Sequence, residues 1–200
     1  MIYAGIDYSM SSPSICVWDS SKPLSFINCR VYNFGNWSHS KTLQGSYGNI
    51  SILKQPSFDC NEERFLNIAN WAKAVLIQEK VDKVSLEGYS YGSKGNTFEI
   101  GENTGVLKQQ LFFLKIPFVV LAPSDIKKKA TGNGSAGKPL MYDSFLNTEG
   151  VFIEDIIPYD KNGDSKLLVK KSETPWELKP IDDIIDSFFI LKSHPDIINL

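Results

Sequence analysis

Residues 81–123 read VDKVSLEGYSYGSKGNTFEIGENTGVLKQQLFFLKIPFVVLAP. Two short apolar runs, VDKVSLEG (81–88) and PFVVLAP (117–123), have the length and branched composition of buried strands. Between them lie a Gly/Ser loop, YSYGSKGN (89–96), and a segment predicted as a helix from about Phe98 to Leu114. Upstream, NEERFLNIANWAKAVLIQEK puts Phe65, Ile68, Ala69, Ala72, Val75 and Leu76 at helical spacing, with Glu62 and Glu63 suited to the positive end of the helix dipole. The middle of the chain therefore alternates helix and strand, as an α/β layer architecture requires.

Before that helix, residues 2–8, 14–19 and 26–34 read as three short strands separated by Ser/Pro/Lys turns, in the manner of an antiparallel meander. Residues 35–59 change to Gly, Asn, Ser and Gln and read as an insertion. After Pro123, SDIKKKATGNGSAGK predicts a basic helical turn running into a Gly-rich loop, with a further helix through Met141 to Phe145. Residues 147–180 are polar, acidic and proline-punctuated, a second insertion. The chain closes on IDDIIDSFFILKS (181–193), a helix that Asp182 or Asp183 is placed to cap. With 200 residues and 42% hydrophobic side chains, a single domain spanning 1–200 can bury a full core.

Three carboxylates sit where apolar residues are expected. Asp7 ends the run IYAGI, Glu87 ends VSL, and Asp186 lies between Ile185 and Ser187 in a helix otherwise apolar enough to be core. An acid at a strand end can also cap a turn or face water, but a buried carboxylate must be paired or bound to a cation. Asp183 and Asp182, three and four residues before Asp186, share its helical face or stabilise the first turn. A set of carboxylates without histidine or thiolate suits Mg2+ or Mn2+ and not zinc. His39 and His194 have no ligand spacing and read as surface residues. Two such ions would activate water against a phosphodiester and stabilise the leaving oxygen.

The quartet GIDYS (5–9), LEGY (86–89), PSDIKKKATGNGSAGK (123–138) and DDIID (182–186) resembles the RuvC family of Holliday junction resolvases, within the ribonuclease H-like superfamily. The element order agrees: three leading strands, a helix, then alternating strands and helices. The resemblance implies a ribonuclease H-like mixed five-stranded sheet, its first three strands antiparallel, flanked by helices. It implies two Mg2+ or Mn2+ ions per site on Asp7, Glu87, Asp183 and Asp186, with Asp182 the competitor of Asp183. It makes Lys127 and Lys138, at the spacing of the family's block VKxxxxGxGxAxK, contacts to the phosphodiester, Lys138 counting among the catalytic residues. The segment GENTGVLKQQL (101–111) resembles the helix through which the family forms homodimers. The loop after Glu87, with Tyr89, Tyr91 and Lys94, and Phe98 beyond it, matches the part the family uses at the junction centre. The two insertions, and Tyr8-Ser9 after Asp7, depart from the compact bacterial pattern and point to a divergent, phage-encoded member.

Charge permits a DNA partner only locally. The formal net charge is −2, which excludes a basic coat. Yet Lys108, Lys115, Lys127, Lys128, Lys129 and Lys138 stand against a single acid, Asp125, between residues 108 and 138, and this strip is the candidate phosphate track. Cys16, Cys29 and Cys60 form no CxxC pair and suit a reducing compartment. No apolar run reaches spanning length and the N-terminus lacks a signal-peptide pattern, so a cytoplasmic location is expected, in a bacterial or phage-infected cell, with no membrane partner. The leading expectation is a crossover junction endodeoxyribonuclease for four-way and other branched DNA. The alternatives are a non-catalytic branched-DNA binding module of the same fold and, with less room at this length, a sugar-kinase-like or actin-like lobe.

Overall fold

The computed structural model describes residues 1–36, 43–89, 97–157 and 179–198. Its centre is a seven-stranded mixed sheet in the order β4-β5-β3-β2-β1-β6-β7. The strands are β1 (Ile2–Asp7), β2 (Ser14–Asp19), β3 (Cys29–Gly35), β4 (Gly45–Tyr47), β5 (Ile50–Lys54), β6 (Lys83–Glu87) and β7 (Phe118–Leu121). The first three pair antiparallel, as expected, and β6 then lies parallel to β1 with β7 parallel to β6.

The expected count of five strands needs correcting to seven. The insertion at 35–59 supplies the two others: β5 runs parallel to β3, with β4 antiparallel to it on the outside. Their signal is the alternation Ile50-Ser51-Ile52, whose isoleucines are fully buried. It is too short to stand out in a Gly/Asn/Ser background. Residues 26–28, read as the start of β3, form a 3-10 turn instead.

Helices cover both faces. On one side α1 (Asn61–Gln78) and α2 (Thr97–Leu114) pack on Ala4, Ile6, Ile15, Val17, Val84 and Leu86. On the other, α4 (Lys138–Glu149) and α5 (Ile181–Lys192) bring Phe145, Phe188 and Phe189 against Phe26, Trp18 and Val31. Phe26, Phe145 and Phe188 meet edge to face at centroid distances of 5.0 to 5.7 Å. The short α3 (Pro123–Thr131) begins on Pro123 and ends at Gly132 in the left-handed region, φ +79°, which turns the chain into the Gly-rich loop. A last turn, α6 (Pro195–Ile198), follows α5.

How close α5 lies to the sheet is set by one glycine. A Cβ on Gly5 would stand 2.2 Å from the Leu191 backbone nitrogen and 2.4 Å from the Ser187 carbonyl oxygen. Small polar residues line the same contact: Ser85 Oγ donates to the Ile190 carbonyl at 2.9 Å, and Ser14 and Ser187 hydroxyls lie 3.3 Å apart. Because side chains alternate along a strand, Gly5 and Asp7 on β1 share the α5 face with Ser85 and Glu87 on β6. Glu87 itself lies beyond the last registered pair, Ile6 with Leu86, so both acids stand at the C-terminal ends of adjacent parallel strands.

Candidate active site

At that strand end, β1, β6 and the first turns of α5 converge. Asp7 and Glu87 line a cleft of about 550 Å3 with Tyr8, Arg64, Tyr89, Thr97 and Lys127. Glu87 and Lys127 also line a second cavity of about 210 Å3, shared with Lys138, Tyr142, Asp182 and Asp186. Glu87 and Lys127 thus face both hollows, while Asp7 lines only the first and Asp186 only the second. Asp183 is buried on the same helix turn.

The electrostatics match a crowded set of acids. Burial pushes the Asp7 carboxyl well above the usual carboxylate range, and Asp183, Asp186 and Glu87 push it further while Lys179 opposes them. Asp186 is raised to about 8, by burial first and then by Glu87, Asp182 and Asp183, against the pull of Lys127. Asp183 is raised to about 6, by burial and Asp182, with Lys179 and the Ser12 hydroxyl holding it down. Glu87 is also raised by burial, with Lys127 opposing. These mutual shifts put Asp7, Glu87, Asp183 and Asp186 in one electrostatic unit.

Asp182 faces the other way in its bonding. Its Oδ2 accepts from Lys138 Nζ at 2.7 Å and from Lys179 Nζ at 3.0 Å, while its buried Oδ1 has no hydrogen-bond partner. Asp183 has both oxygens engaged: Oδ1 accepts from Lys179 at 2.5 Å and Oδ2 from the buried Ser12 hydroxyl at 2.6 Å. Ser12 in turn accepts from the Asn33 side-chain amide at 3.2 Å. The N-cap of α5 is Pro180, with no side-chain cap, so neither Asp182 nor Asp183 caps the helix. Both acids are drawn to ammonium groups instead.

Lys179, Ser12 and Asn33 escaped the sequence reading. Lys179 carries a faint signal, since it stands three and four residues before Asp182 and Asp183. Ser12 and Asn33 carry none, because their partners come from strands and a helix far apart in the chain.

The lysine strip separates into different roles. Lys127 faces the cavities, Lys138 holds Asp182, and Lys128 is exposed. Lys129 donates to the Ser193 carbonyl at 3.2 Å, and Lys108 lies over the Tyr89 ring at 5.1 Å. Phe98 is 84% exposed at the first turn of α2, and Tyr89 is half-buried beneath it in the chain. Tyr91 and Lys94 lie outside the described residues, as does His39. His194, expected at the surface, is buried edge-on against Tyr3. The three cysteines are free.

By donor chemistry the site fits a hard divalent cation: only carboxylate oxygens, excess negative charge, and an orphaned buried oxygen on Asp182. As the side chains stand, no three acid, histidine or cysteine groups among the described residues are close enough to enclose an ion. Among the described residues no helix is long and apolar enough to cross a membrane.

No family model and no curated protein matches the sequence. Solved structures do. Thermus thermophilus RuvC in complex with a Holliday junction substrate matches with a TM-score of 0.62 at 17% identity, over 100% of this chain and 96% of that one. Thermus thermophilus RuvC alone matches at 0.59 and 17%, over 97% and 93%. The yeast mitochondrial Holliday junction resolvase Ydc2 matches at 0.50 and 13%, over 94% of this chain and 75% of that one. Over its whole length this chain therefore has the RuvC-like fold, a ribonuclease H-like α/β fold built on the mixed sheet described above.

Proposed function

We propose that this protein is a metal-dependent, structure-selective endodeoxyribonuclease that resolves four-way or other branched DNA junctions, acting as a homodimer with Mg2+ or Mn2+. The observation that carries this reading is the gathering of Asp7, Glu87 and Asp186 around two adjoining hollows at the strand end, which share Glu87 and Lys127. Folds of this kind host many activities, and it is that set of groups, not the architecture, that points to phosphodiester chemistry.

A bound divalent cation would supply Lewis-acid charge beside the scissile phosphodiester and lower the pKa of the attacking water. Asp7, Glu87 and Asp186 would hold it. Lys127, open to both cavities, would neutralise the phosphate as negative charge develops in the transition state. Lys138, half-exposed while paired with Asp182, is within reach of the same rim. Hydrolysis would leave a 5′-phosphate and a 3′-hydroxyl. Tyr89 lines the cleft with Lys108 over its ring, Lys128 would add a phosphate contact from the surface of α3, and the exposed Phe98 ring is suited to wedging into an open junction. Phe112 and Phe113, 76% and 65% exposed at the end of α2, supply apolar surface for the dimer.

A second reading, a binding module without catalysis, draws on the engagement of both Asp183 oxygens by Lys179 and Ser12. One experiment separates the two. Synthetic four-way junctions, forks and duplex are incubated with the protein in Mg2+ and in Mn2+. Paired nicks in the junction, lost in Asp7→Asn while junction binding persists, are the expected result. Binding without cleavage in either metal supports the module, and equal treatment of duplex and junction overturns both.

A further inference from the structure

We propose that the Lys179 ammonium, bridging Asp182 and Asp183, stands in for one of the two cations that the resemblance would give this carboxylate cluster, so that this chain takes a single divalent ion, on the side of Asp7, Glu87 and Asp186. The inference rests on the metal-dependent reading above and concerns how many ions that site admits.

The geometry is specific. Lys179 lies in the turn immediately before α5, and its Nζ bridges Asp183 Oδ1 at 2.5 Å and Asp182 Oδ2 at 3.0 Å. The opposite oxygen of Asp183 is held by Ser12 at 2.6 Å, and Ser12 is itself fixed by Asn33. Each oxygen of Asp183 thus already accepts a short hydrogen bond, with which a second ion would have to compete. Lys138 adds another ammonium on Asp182, 2.7 Å from the same Oδ2. Two ammonium groups thus face the Asp182–Asp183 pair and match its charge. Asp7, Glu87 and Asp186 lie on the cavity side, with Lys127.

Connectivity strengthens the argument. The Lys179 contacts span three and four residues, so they form with the first turn of α5 and carry a small loop-closure cost. An ion binding at Asp183 competes with a tethered, partly desolvated ammonium whose side chain is 33% exposed. A free ion in dilute solution competes against that high effective concentration.

Mn2+ titration of the full chain by calorimetry, with electron paramagnetic resonance on the same samples, tests this. Wild type is expected to bind one ion per chain and to give the six-line spectrum of isolated Mn2+. Lys179→Met is expected to bind two, with the broadening of ions about 4 Å apart. Lys179→Arg, which keeps the charge, should stay at one. Two ions in wild type, or one in a folded Lys179→Met, overturns the proposal. If Lys179→Met does not fold by circular dichroism, the wild-type and Lys179→Arg stoichiometries decide. Junction cleavage measured in parallel separates the two levels: two ions with cleavage keeps the nuclease and removes this proposal, and no ion with no cleavage removes both.

Discussion

Ser12 Oγ donates to Asp183 Oδ2 at 2.6 Å, linking the turn after β1 to the helix at the far end of the chain. Both residues are buried, and Asn33 on β3 donates to the same hydroxyl. A hydrogen bond to a buried carboxylate is worth about 1.5–3 kcal/mol. Ser12→Ala should therefore lower the unfolding free energy by roughly that amount, read by urea denaturation. It should also raise the Asp183 carboxyl above about 6, since the hydroxyl favours the ionised form. Unchanged stability would show that the bond does not persist in solution.

The raised carboxyls set a sign for pH dependence. Asp186 moves from 3.8 to about 8, Asp183 to about 6, and Asp7 and Glu87 upward. Between those limits the native state binds more protons than the unfolded chain, so stability falls as pH rises. Protein stripped with chelator should melt at a higher temperature at pH 5 than at pH 8, the loss running from about pH 4 to about pH 8. Added Mg2+ should recover stability most at the alkaline end, where protons no longer neutralise the cluster. A chelated protein that gains stability across this window would contradict the raised values.

Asp186→Asn separates activity from stability. The substitution removes a buried charge that Glu87, Asp182 and Asp183 all oppose. In metal-free protein at pH 8 the variant should melt a few degrees above wild type by calorimetry, because strained sites are commonly stabilised when their charges are removed. Junction cleavage should fall by about a hundredfold or more, the scale of losing a group that acts in the transition state. A variant that cuts normally would remove Asp186 from the site.

Gly5→Ala probes how the site is assembled. The new Cβ would fall 2.2 Å from backbone nitrogen in α5, and backbone cannot rotate away as a side-chain tip can. Overpacking of this kind costs about 3 kcal/mol or more. Denaturant unfolding should show that loss, and the displaced helix should carry Asp183 and Asp186 away from Asp7, lowering Mn2+ affinity. Wild-type stability in Gly5→Ala would mean that α5 does not press on β1 as closely as the structure has it.

Much of this molecule is written locally. Residues 61–80 have a 3.6-residue apolar period, 83–87 and 118–121 are short branched runs, and these settle the helices and strands of the middle without reference to distant partners. Asp7, Glu87 and Asp186 stood out for the same local reason: a charge inside an apolar run costs too much to be accidental. The alternation of β5 is equally local, but with only Ile50 and Ile52 buried it gives too few periods to read.

Other relationships have no local trace. Ser12, Asn33 and Asp183 belong to three elements, and a serine or asparagine in a turn or strand satisfies its hydrogen bonds in many ways, so only the packed fold picks the partner. Lys138 and Lys129 look alike in a basic run, yet one reaches Asp182 and the other a carbonyl at the end of α5, because α3 and the Gly-rich loop point them at different ends of one helix. The sequence by itself determined the order of elements and which carboxylates are anomalous, since both follow from the free energy of burying a side chain. Only the tertiary structure decided that Lys138 meets Asp182 and that Ser12 meets Asp183, because those pairs depend on how α5 packs over β1 at Gly5.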